Sequence, residues 1–126
     1  MAVVGVGVDA IEIERVERAL ARTPRLADRL FTEAERARCT SSCGRLKSAG
    51  LAARFAAKEA VAKAFGTGVH GFAWRDIEVH NNMNGQPEVR LHNGARARAE
   101  KMGVASIHLS LTTARDIAIA NVVLEN

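Results

Sequence analysis

The sequence predicts an α+β fold in which a largely antiparallel sheet packs around one long buried helix. Three observations support this prediction. Residues 51–65 are apolar nearly all round and rich in alanine, as expected of a helix inside a protein. Residues 76–92 and 106–125 each contain two short β-rich runs joined by a turn. A chain of 126 residues also fits a single domain, here residues 1–126.

The N-terminal run AVVGVGVD predicts a first strand over about Val3–Val8, ended by the acid Asp9. Gly5 and Gly7 weaken a strand, because they bring no side chain to pack. Glycines in such places commonly let another backbone pass close by. We therefore expect a second element to lie directly against this strand.

Two helical segments are expected to follow the strand. Ile13, Val16 and Leu20 share one helical face, which predicts an amphipathic helix. Pro24 interrupts that helix, because proline removes a backbone donor and clashes with the preceding turn. A second, short turn of helix is expected over Leu26–Leu30.

The next helix start has a clear signature. Thr32 and Glu35, three residues apart, form a capping box that begins a helix. A polar loop is expected over about Thr40–Gly50, ahead of the long helix, which is predicted over about Leu51–Phe65. Gly66 ends that helix in the manner of a glycine C-cap.

The second half of the chain is predicted to be mostly strands. Two strands, Asp76–His80 and Glu88–His92, are joined by a loop containing Asn84-Gly85, a strong hairpin signal. The run GARARAEKMG predicts a short amphipathic helix that ends at Gly103. The last run, SIHLSLTTARDIAIANVVLE, predicts a second hairpin with its turn near Thr113–Asp116.

Charge and composition narrow the classes of function. The net charge is +4 and most of the 18 basic residues are arginine, whose planar fork suits phosphate and carboxylate. An excess this modest favours an anionic ligand or partner over wholesale nucleic-acid binding. Aromatic residues make up only 4%, which argues against a base-stacking surface.

The N-terminus and the lack of a long apolar run predict a cytoplasmic protein, and the cysteines indicate no metal site. Cys39 and Cys43 lack the second ligand pair of a structural zinc site, so we expect two free thiols. No apolar run approaches the ~18–20 residues that span a bilayer. The N-terminal sequence shows no basic leader followed by a cleavage site.

Three charged residues indicate a possible site. Glu59 and Lys63 are neighbours at i,i+4 on the long helix, which is compatible with a plain surface ion pair. The apolar surroundings favour burial instead, and a buried carboxylate must be paired or bind a metal. Asp9 offers a second carboxylate, although its position also suits an N-cap of the first helix. Two converging carboxylates suit magnesium, with Lys63 placed for phosphate oxygens.

Two weaker features could belong to the same site. The segment Gly66-Thr67-Gly68 could bring backbone N–H groups to a phosphate, although a helix stop explains the glycines equally well. It is not a Walker A loop. A stripe of arginines on the first helix and just beyond it is either a solvated face or a docking surface for an acidic protein. Its members are Arg15, Arg18, Arg22, Arg25 and Arg29.

Taken together and in order, these segments resemble the holo-[acyl-carrier-protein] synthases, the short bacterial 4′-phosphopantetheinyl transferases. The resemblance covers nearly the whole chain. It includes GVGVDAIEIERV, FTEAE, DIEVHNNMNGQPEVRL and HLSLTTARDIAIANVVLE, and it is densest in RFAAKEAVAKAFGTG. It implies the fold of that family. It also implies magnesium-dependent transfer of phosphopantetheine from coenzyme A to a serine of an apo acyl carrier protein, which releases adenosine 3′,5′-bisphosphate and serves fatty acid biosynthesis.

The resemblance also implies roles for individual residues. Asp9 and Glu59 match the magnesium ligands, and Lys63 matches the lysine at the pyrophosphate. The positions near the nucleotide part of coenzyme A are Arg54, Gly66, Thr67, Gly68 and Ser110. The carrier protein is expected to dock on Arg15 and Arg22, with Arg18 and Arg25 behind them. Relatives of this type are usually homotrimers with each active site between two subunits.

One position departs from the family pattern. Thr113 stands where the family has a histidine near the 3′-phosphate of coenzyme A. Threonine can donate one hydrogen bond but carries no positive charge. We therefore expect weaker binding of the 3′-phosphate, or compensation by Arg115. The departure also keeps open a non-catalytic module that binds coenzyme A or another nucleotide.

Two further questions stay open at this point. The serine proton could go to Glu59 or to a water on the metal. A small structural or interaction protein, whose acids merely cap and pair, is a third interpretation of the same residues. It would bind neither magnesium nor coenzyme A.

Overall fold

The computed structural model describes all residues, 1–126, in five strands and five α-helices. In chain order they are β1 Val3–Glu12, α1 Ile13–Arg22, α2 Leu26–Leu30, α3 Glu33–Arg38, α4 Ser48–Ala64, β2 Ile77–Asn81, β3 Pro87–Leu91, α5 Asn93–Met102, β4 Ser106–Ala114 and β5 Ile117–Glu125. A single 3₁₀ turn over Trp74–Asp76 precedes β2. None of the helices combines the length and the hydropathy needed to cross a bilayer.

All strand pairs are antiparallel, as predicted. One sheet has three strands in the order β1-β5-β4, and a second sheet pairs β2 with β3. On β5, alternate residues face inwards, so that Ala118, Ala120, Val122 and Leu124 are fully buried against α4. The expected antiparallel sheet around one long helix is therefore confirmed.

The close approach expected at the N-terminal glycines is made by α4. A Cβ atom on Gly7 would overlap the carbonyl oxygen of Ala60, and a Cβ atom on Gly5 would overlap that of Ala64. The alanines of α4 provide the matching flat surface. The helix thus lies almost backbone to backbone on β1, and this contact brings residues of β1 and α4 to the same edge of the molecule.

Several predicted elements are confirmed, with two shifts of boundary that affect the site. The capping box of Thr32 and Glu35 is present, and Gly66 follows α4 in the left-handed conformation with φ 80°. Strand β1 runs on to Glu12, so the prediction that Asp9 ends the strand was wrong. Helix α4 begins at Ser48, three residues before the predicted start, so the loop after Thr40 is shorter than predicted.

Candidate active site

A cavity of about 550 Å³ lies between β1, α1, α2 and α4. Its polar side chains are Asp9, Arg15, Glu59 and Lys63. The rest of its wall is apolar and comprises Ala10, Ile11, Val16, Ala19, Leu20, Leu26, Leu30, Phe31 and Phe55. The structure therefore brings the three residues Asp9, Glu59 and Lys63, predicted from the sequence, to one concave surface. Apolar walls of this kind strengthen electrostatic interactions at the rim, because they exclude water.

Asp9 is held by the sheet, not by a helix end. It lies within β1, where its Cα is paired with that of Ala120 on β5. The N-cap of α1 is Glu12, which makes no side-chain capping bond. The alternative interpretation of Asp9 as an N-cap was therefore wrong. Because β1 is paired with β5 at this position, the backbone of Asp9 is rigidly held.

Lys63 contacts β1 instead of its helical neighbour. Its Nζ donates to the Oδ1 of Asp9 and to the carbonyl oxygen of Val8, both at 3.0 Å. The Lys63 side chain is 53% exposed and that of Asp9 is 16% exposed. The i,i+4 ion pair between Glu59 and Lys63, one of the expected possibilities, is not formed. The lysine reaches across to the strand because α4 lies so close to β1.

Glu59 is a half-buried carboxylate without a hydrogen bond or an ion pair. Partial burial and then the negative charge of Asp9 raise its pKa above the ordinary value of 4.5, against the opposing charges of Lys63 and Arg15. The repulsion from Asp9 means that a proton or a cation next to Glu59 would be favoured. The burial expected of this carboxylate from the apolar helix is therefore only partial, and the neighbouring Lys63 is exposed.

This pair of carboxylates fits a hard divalent cation. Asp9 and Glu59 approach from different elements, and their mutual repulsion is the strain that a cation between them would relieve. No group of three or more acidic, histidine or cysteine side chains in the chain could hold a metal ion. A cation at this place would therefore take the rest of its ligands from water and substrate, as magnesium commonly does.

The charge that α4 does bury is Lys58, which the sequence did not single out. Its Nζ donates to Glu35 Oε1 at 2.8 Å, to the Trp74 carbonyl oxygen at 3.2 Å and to the Ile77 carbonyl oxygen. The side chains of Lys58 and Glu35 are both 0% exposed. Burial lowers the pKa of Lys58, although the charge of Glu35 opposes this shift. The capping box identified Glu35 only as a local helix signal.

The predicted nucleotide-side residues lie away from the cavity. Arg54 is buried, and its two terminal nitrogens donate to the Gly50 carbonyl oxygen at 3.2 Å and to Asn81 Oδ1 at 3.0 Å. Gly66, Thr67 and Gly68 form an exposed turn at the end of α4. Ser110 and Thr113 are exposed on β4.

The arginine stripe is exposed and free of ion pairs along α1 and the start of α2. Arg15 lies at the wall of the cavity, and Arg18 and Arg22 are exposed on α1. Arg25 is exposed at the N-cap of α2. Arg15 is thus the member of the basic stripe that shares the cavity with Asp9 and Glu59. Both cysteines are free thiols, as predicted, with Cys39 buried and Cys43 exposed.

Comparisons with known proteins find relatives over nearly the whole chain. A family model described as the 4′-phosphopantetheinyl transferase superfamily matches residues 5–122. The holo-[acyl-carrier-protein] synthase of Frankia alni is 48% identical over 126 residues, which cover 100% of both chains. The crystal structure of the synthase from Neisseria meningitidis superimposes with a TM-score of 0.89 at 31% identity, covering 99% of this chain and 100% of that one. A synthase from Bacillus anthracis, solved in complex with CoA (3′,5′-ADP), gives a TM-score of 0.77 at 34% identity, covering 97% and 96%.

Proposed function

The chain belongs to the 4′-phosphopantetheinyl transferase superfamily, and from that premise we propose that it acts as a holo-[acyl-carrier-protein] synthase. It transfers 4′-phosphopantetheine from coenzyme A to a serine hydroxyl of an apo acyl carrier protein or carrier domain. In this proposal residues 1–126 form one transferase domain. The observation that carries the proposal is the convergence of Asp9, Glu59 and Lys63 on one cavity in a chain related over its full length to these enzymes.

Asp9 and Glu59 are the residues that would hold magnesium. The two carboxylates are held by different elements. Asp9 lies on a strand that is paired with β5, and Glu59 lies on the helix that packs against that strand. When bound, magnesium supplies the positive charge that stabilises the negative charge developing on the departing bisphosphate. Glu59 gains most from a cation, because nothing else in the chain compensates its charge through a direct contact.

The chain's own residues account for the rest of the reaction. The serine oxygen forms a bond to the phosphorus that carries pantetheine, and the bond from that phosphorus to the bridging oxygen breaks, releasing adenosine 3′,5′-bisphosphate. Lys63 faces the pyrophosphate and stabilises its oxygens. Glu59 accepts the serine proton in this proposal, because partial burial and the negative charge of Asp9 raise its pKa and so favour its protonated form.

The arginine stripe is the docking surface for the carrier protein in this proposal. Arg15, Arg18, Arg22 and Arg25 are exposed and unpaired, and Arg15 lines the cavity itself. Acidic side chains of the carrier would meet them, which mainly increases the association rate and fixes the register of the serine. The fatty acid pathway is the proposed setting.

A homotrimer with sites between subunits is the proposed assembly. The outer face of the three-stranded sheet carries Val6 and Val8, which are 64% and 58% exposed on neighbouring outward positions of β1. Apolar side chains grouped on a sheet face are typical of a protein interface. Ser110 and Thr113 lie on β4 of the same sheet and do not line the cavity of their own subunit. In the proposed trimer they contact the coenzyme A bound at the cavity of the neighbouring subunit.

Thr113 is expected to weaken the affinity for the 3′-phosphate in this proposal. A threonine hydroxyl is neutral, whereas a histidine can carry positive charge. Arg115, in the tight turn that follows β4, has a left-handed φ of 54° and is the nearest basic residue in sequence. Compensation by Arg115 would appear as a larger loss of affinity for coenzyme A than for dephospho-coenzyme A in the Arg115→Ala variant.

A mass-shift assay tests the proposed function. The protein, coenzyme A and Mg²⁺ are incubated with an apo acyl carrier protein, and the intact carrier is weighed by mass spectrometry. The expected result is a gain of one phosphopantetheine, which disappears when the acceptor serine is changed to alanine. If the protein binds coenzyme A but the carrier gains no mass, the non-catalytic binding module is the correct function.

A further inference from the structure

In this structure the ammonium of Lys63 contacts a carboxylate and a carbonyl oxygen of β1. Its ammonium uses two of its three donors on β1, one on Asp9 Oδ1 and one on the Val8 carbonyl oxygen. Glu59, one turn earlier on the same helix, is left without a direct partner. Of the two carboxylates at this place, the lysine makes a direct contact with Asp9 alone, and its charge acts on Glu59 only from a distance.

We propose that Lys63 is an internal counter-ion of Asp9 which a divalent cation displaces, so that cation binding and release of the ammonium towards the substrate's phosphate groups are coupled. The inference rests on the proposed function, because it takes Asp9 and Glu59 as the ligands of the cation. It adds an order of events, in which the lysine becomes available to the substrate only after the cation has bound.

Two physical reasons support this coupling. A divalent cation and an ammonium drawn to the same carboxylate repel each other, and the repulsion is strong at a partly buried rim. The lysine side chain is 53% exposed and has a long, flexible stem, so its ammonium can move from Asp9 into solvent. The carbonyl oxygen of Val8 can then be satisfied by water.

The test is a titration of the full chain with Mn²⁺ alone, in which binding is measured by calorimetry or electron paramagnetic resonance. The Lys63→Met variant should bind Mn²⁺ about two- to five-fold more tightly than the wild type, which is the effect of removing one competing exposed ion pair. Arg15→Met is the matched charge control, because Arg15 also lies at the cavity but makes no contact with Asp9. Its effect should be clearly smaller, and Lys101→Met on α5 should have none.

A second measurement uses the reactivity of the lysine itself. The rate of acetylation of Lys63 by a water-soluble reagent, followed by mass spectrometry, should rise when Mn²⁺ is added, while that of Lys101 should not change. The inference is overturned if Lys63→Met binds Mn²⁺ no more tightly than Arg15→Met, or if Mn²⁺ slows the acetylation of Lys63.

The proposed function can be tested separately. If wild-type protein binds Mn²⁺, and Asp9→Asn and Glu59→Gln both abolish that binding, the cation site stands whatever Lys63→Met does. If wild-type protein binds no Mn²⁺ and the carrier gains no mass, both proposals fail together.

Discussion

Lys58 and Glu59 are consecutive residues of α4, yet their surroundings are opposite. Lys58 is fully buried and donates to one carboxylate and two carbonyl oxygens. Glu59 is half-buried and has no direct partner, with Asp9 as a nearby negative charge. One helix therefore carries a fully satisfied charge on one side and an incompletely satisfied one on the other.

The difference separates a charge that supports the fold from one available for chemistry. A buried ion pair contributes little net stability, but it is costly to break, because the remaining charge is left in an apolar interior. A partly exposed carboxylate with a raised pKa costs less to leave uncompensated, and it can accept a cation or a proton. We expect Lys58 variants to lose stability and Glu59 variants to lose activity, with little overlap.

The largest effect is expected for Glu59→Gln. This variant keeps the size of the side chain but removes its charge, so kcat/KM for carrier modification should fall by about 10²–10⁴. The midpoint of urea unfolding should not fall, because the side chain has no partner in the fold. The carrier mass-shift assay and urea unfolding, both at fixed protein concentration, measure the two quantities.

Glu100→Gln on the exposed face of α5 is the matched control for this prediction. It should retain wild-type activity and stability. The separation of roles is wrong if Glu59→Gln turns over at the wild-type rate, or if it unfolds as readily as a core variant.

The next largest effect is expected for Lys58→Met. Methionine is similar in length but leaves the charge of Glu35 buried with only the backbone N–H groups of Thr32 and Val79 as donors. The free energy of unfolding should fall by about 3–5 kcal/mol. Urea unfolding measures it, and Lys101→Met should change it by less than about 0.5 kcal/mol.

The double variant Lys58→Met with Glu35→Gln keeps this prediction testable if the single variant does not fold. Removing the second charge should recover part of the lost stability, because no uncompensated ion remains inside. A Lys58→Met protein with wild-type stability would show that the buried pair is dispensable.

The sequence predicted a close backbone contact at β1 but not the direction of the side chains on α4. Gly5 and Gly7 are a local signal of a close backbone, so the contact could be expected without knowing what made it. Helix α4 is apolar nearly all round, so its pattern did not indicate which side faces the sheet. Consecutive residues on a helix point about 100° apart. The choice between Lys58 and Glu59 as the buried charge therefore depended on packing, which the sequence does not display.

The dependence on packing also explains why the sequence did not predict the ion pairs. Glu35 was recognised through the spacing of its capping box, which is local, but its partner Lys58 lies 23 residues away. The pairing of Lys63 with Asp9 joins residues 54 positions apart, and it replaced the local i,i+4 pair with Glu59 that the sequence offered. Local spacing predicted helix starts and turns, whereas the long-range partners needed the tertiary structure.

Gly7→Ala should give a smaller effect, and it should lower both stability and activity. The added methyl group would meet the carbonyl oxygen of Ala60, so β1 and α4 must move apart. We expect a loss of about 1–3 kcal/mol in stability. We also expect reduced kcat/KM, because Asp9 on β1 shifts relative to Glu59 on α4. Unfolding and mass-shift assays measure the two, and a variant with wild-type values of both would show that the contact does not position the site.

The smallest effect expected is on the pH dependence of stability, to which Glu59 and Glu78 should contribute with opposite sign. The pKa of Glu59 is raised, so ionising it is unfavourable in the fold; its contribution to stability is present below pH 4.5 and is lost as pH rises through the raised pKa. For Glu78, burial raises the pKa, but hydrogen bonds from Thr32 and His92 together with the charges of His92 and Arg90 outweigh it and hold the net pKa below 4.5. Its contribution is present above pH 4.5 and is lost as pH falls through the lowered pKa.

Unfolding free energies of the wild type, Glu59→Gln and Glu78→Gln, measured against pH, can separate the two. The advantage of wild type over Glu78→Gln should shrink on acidification, because the hydrogen bonds to the ionised carboxylate are lost. Relative to Glu59→Gln, the wild type should instead become less stable as pH rises. Solvent screening should keep both differences below about 1 kcal/mol. Two curves of the same sign would contradict the view that one carboxylate is satisfied by the fold while the other is held ready for a positive charge.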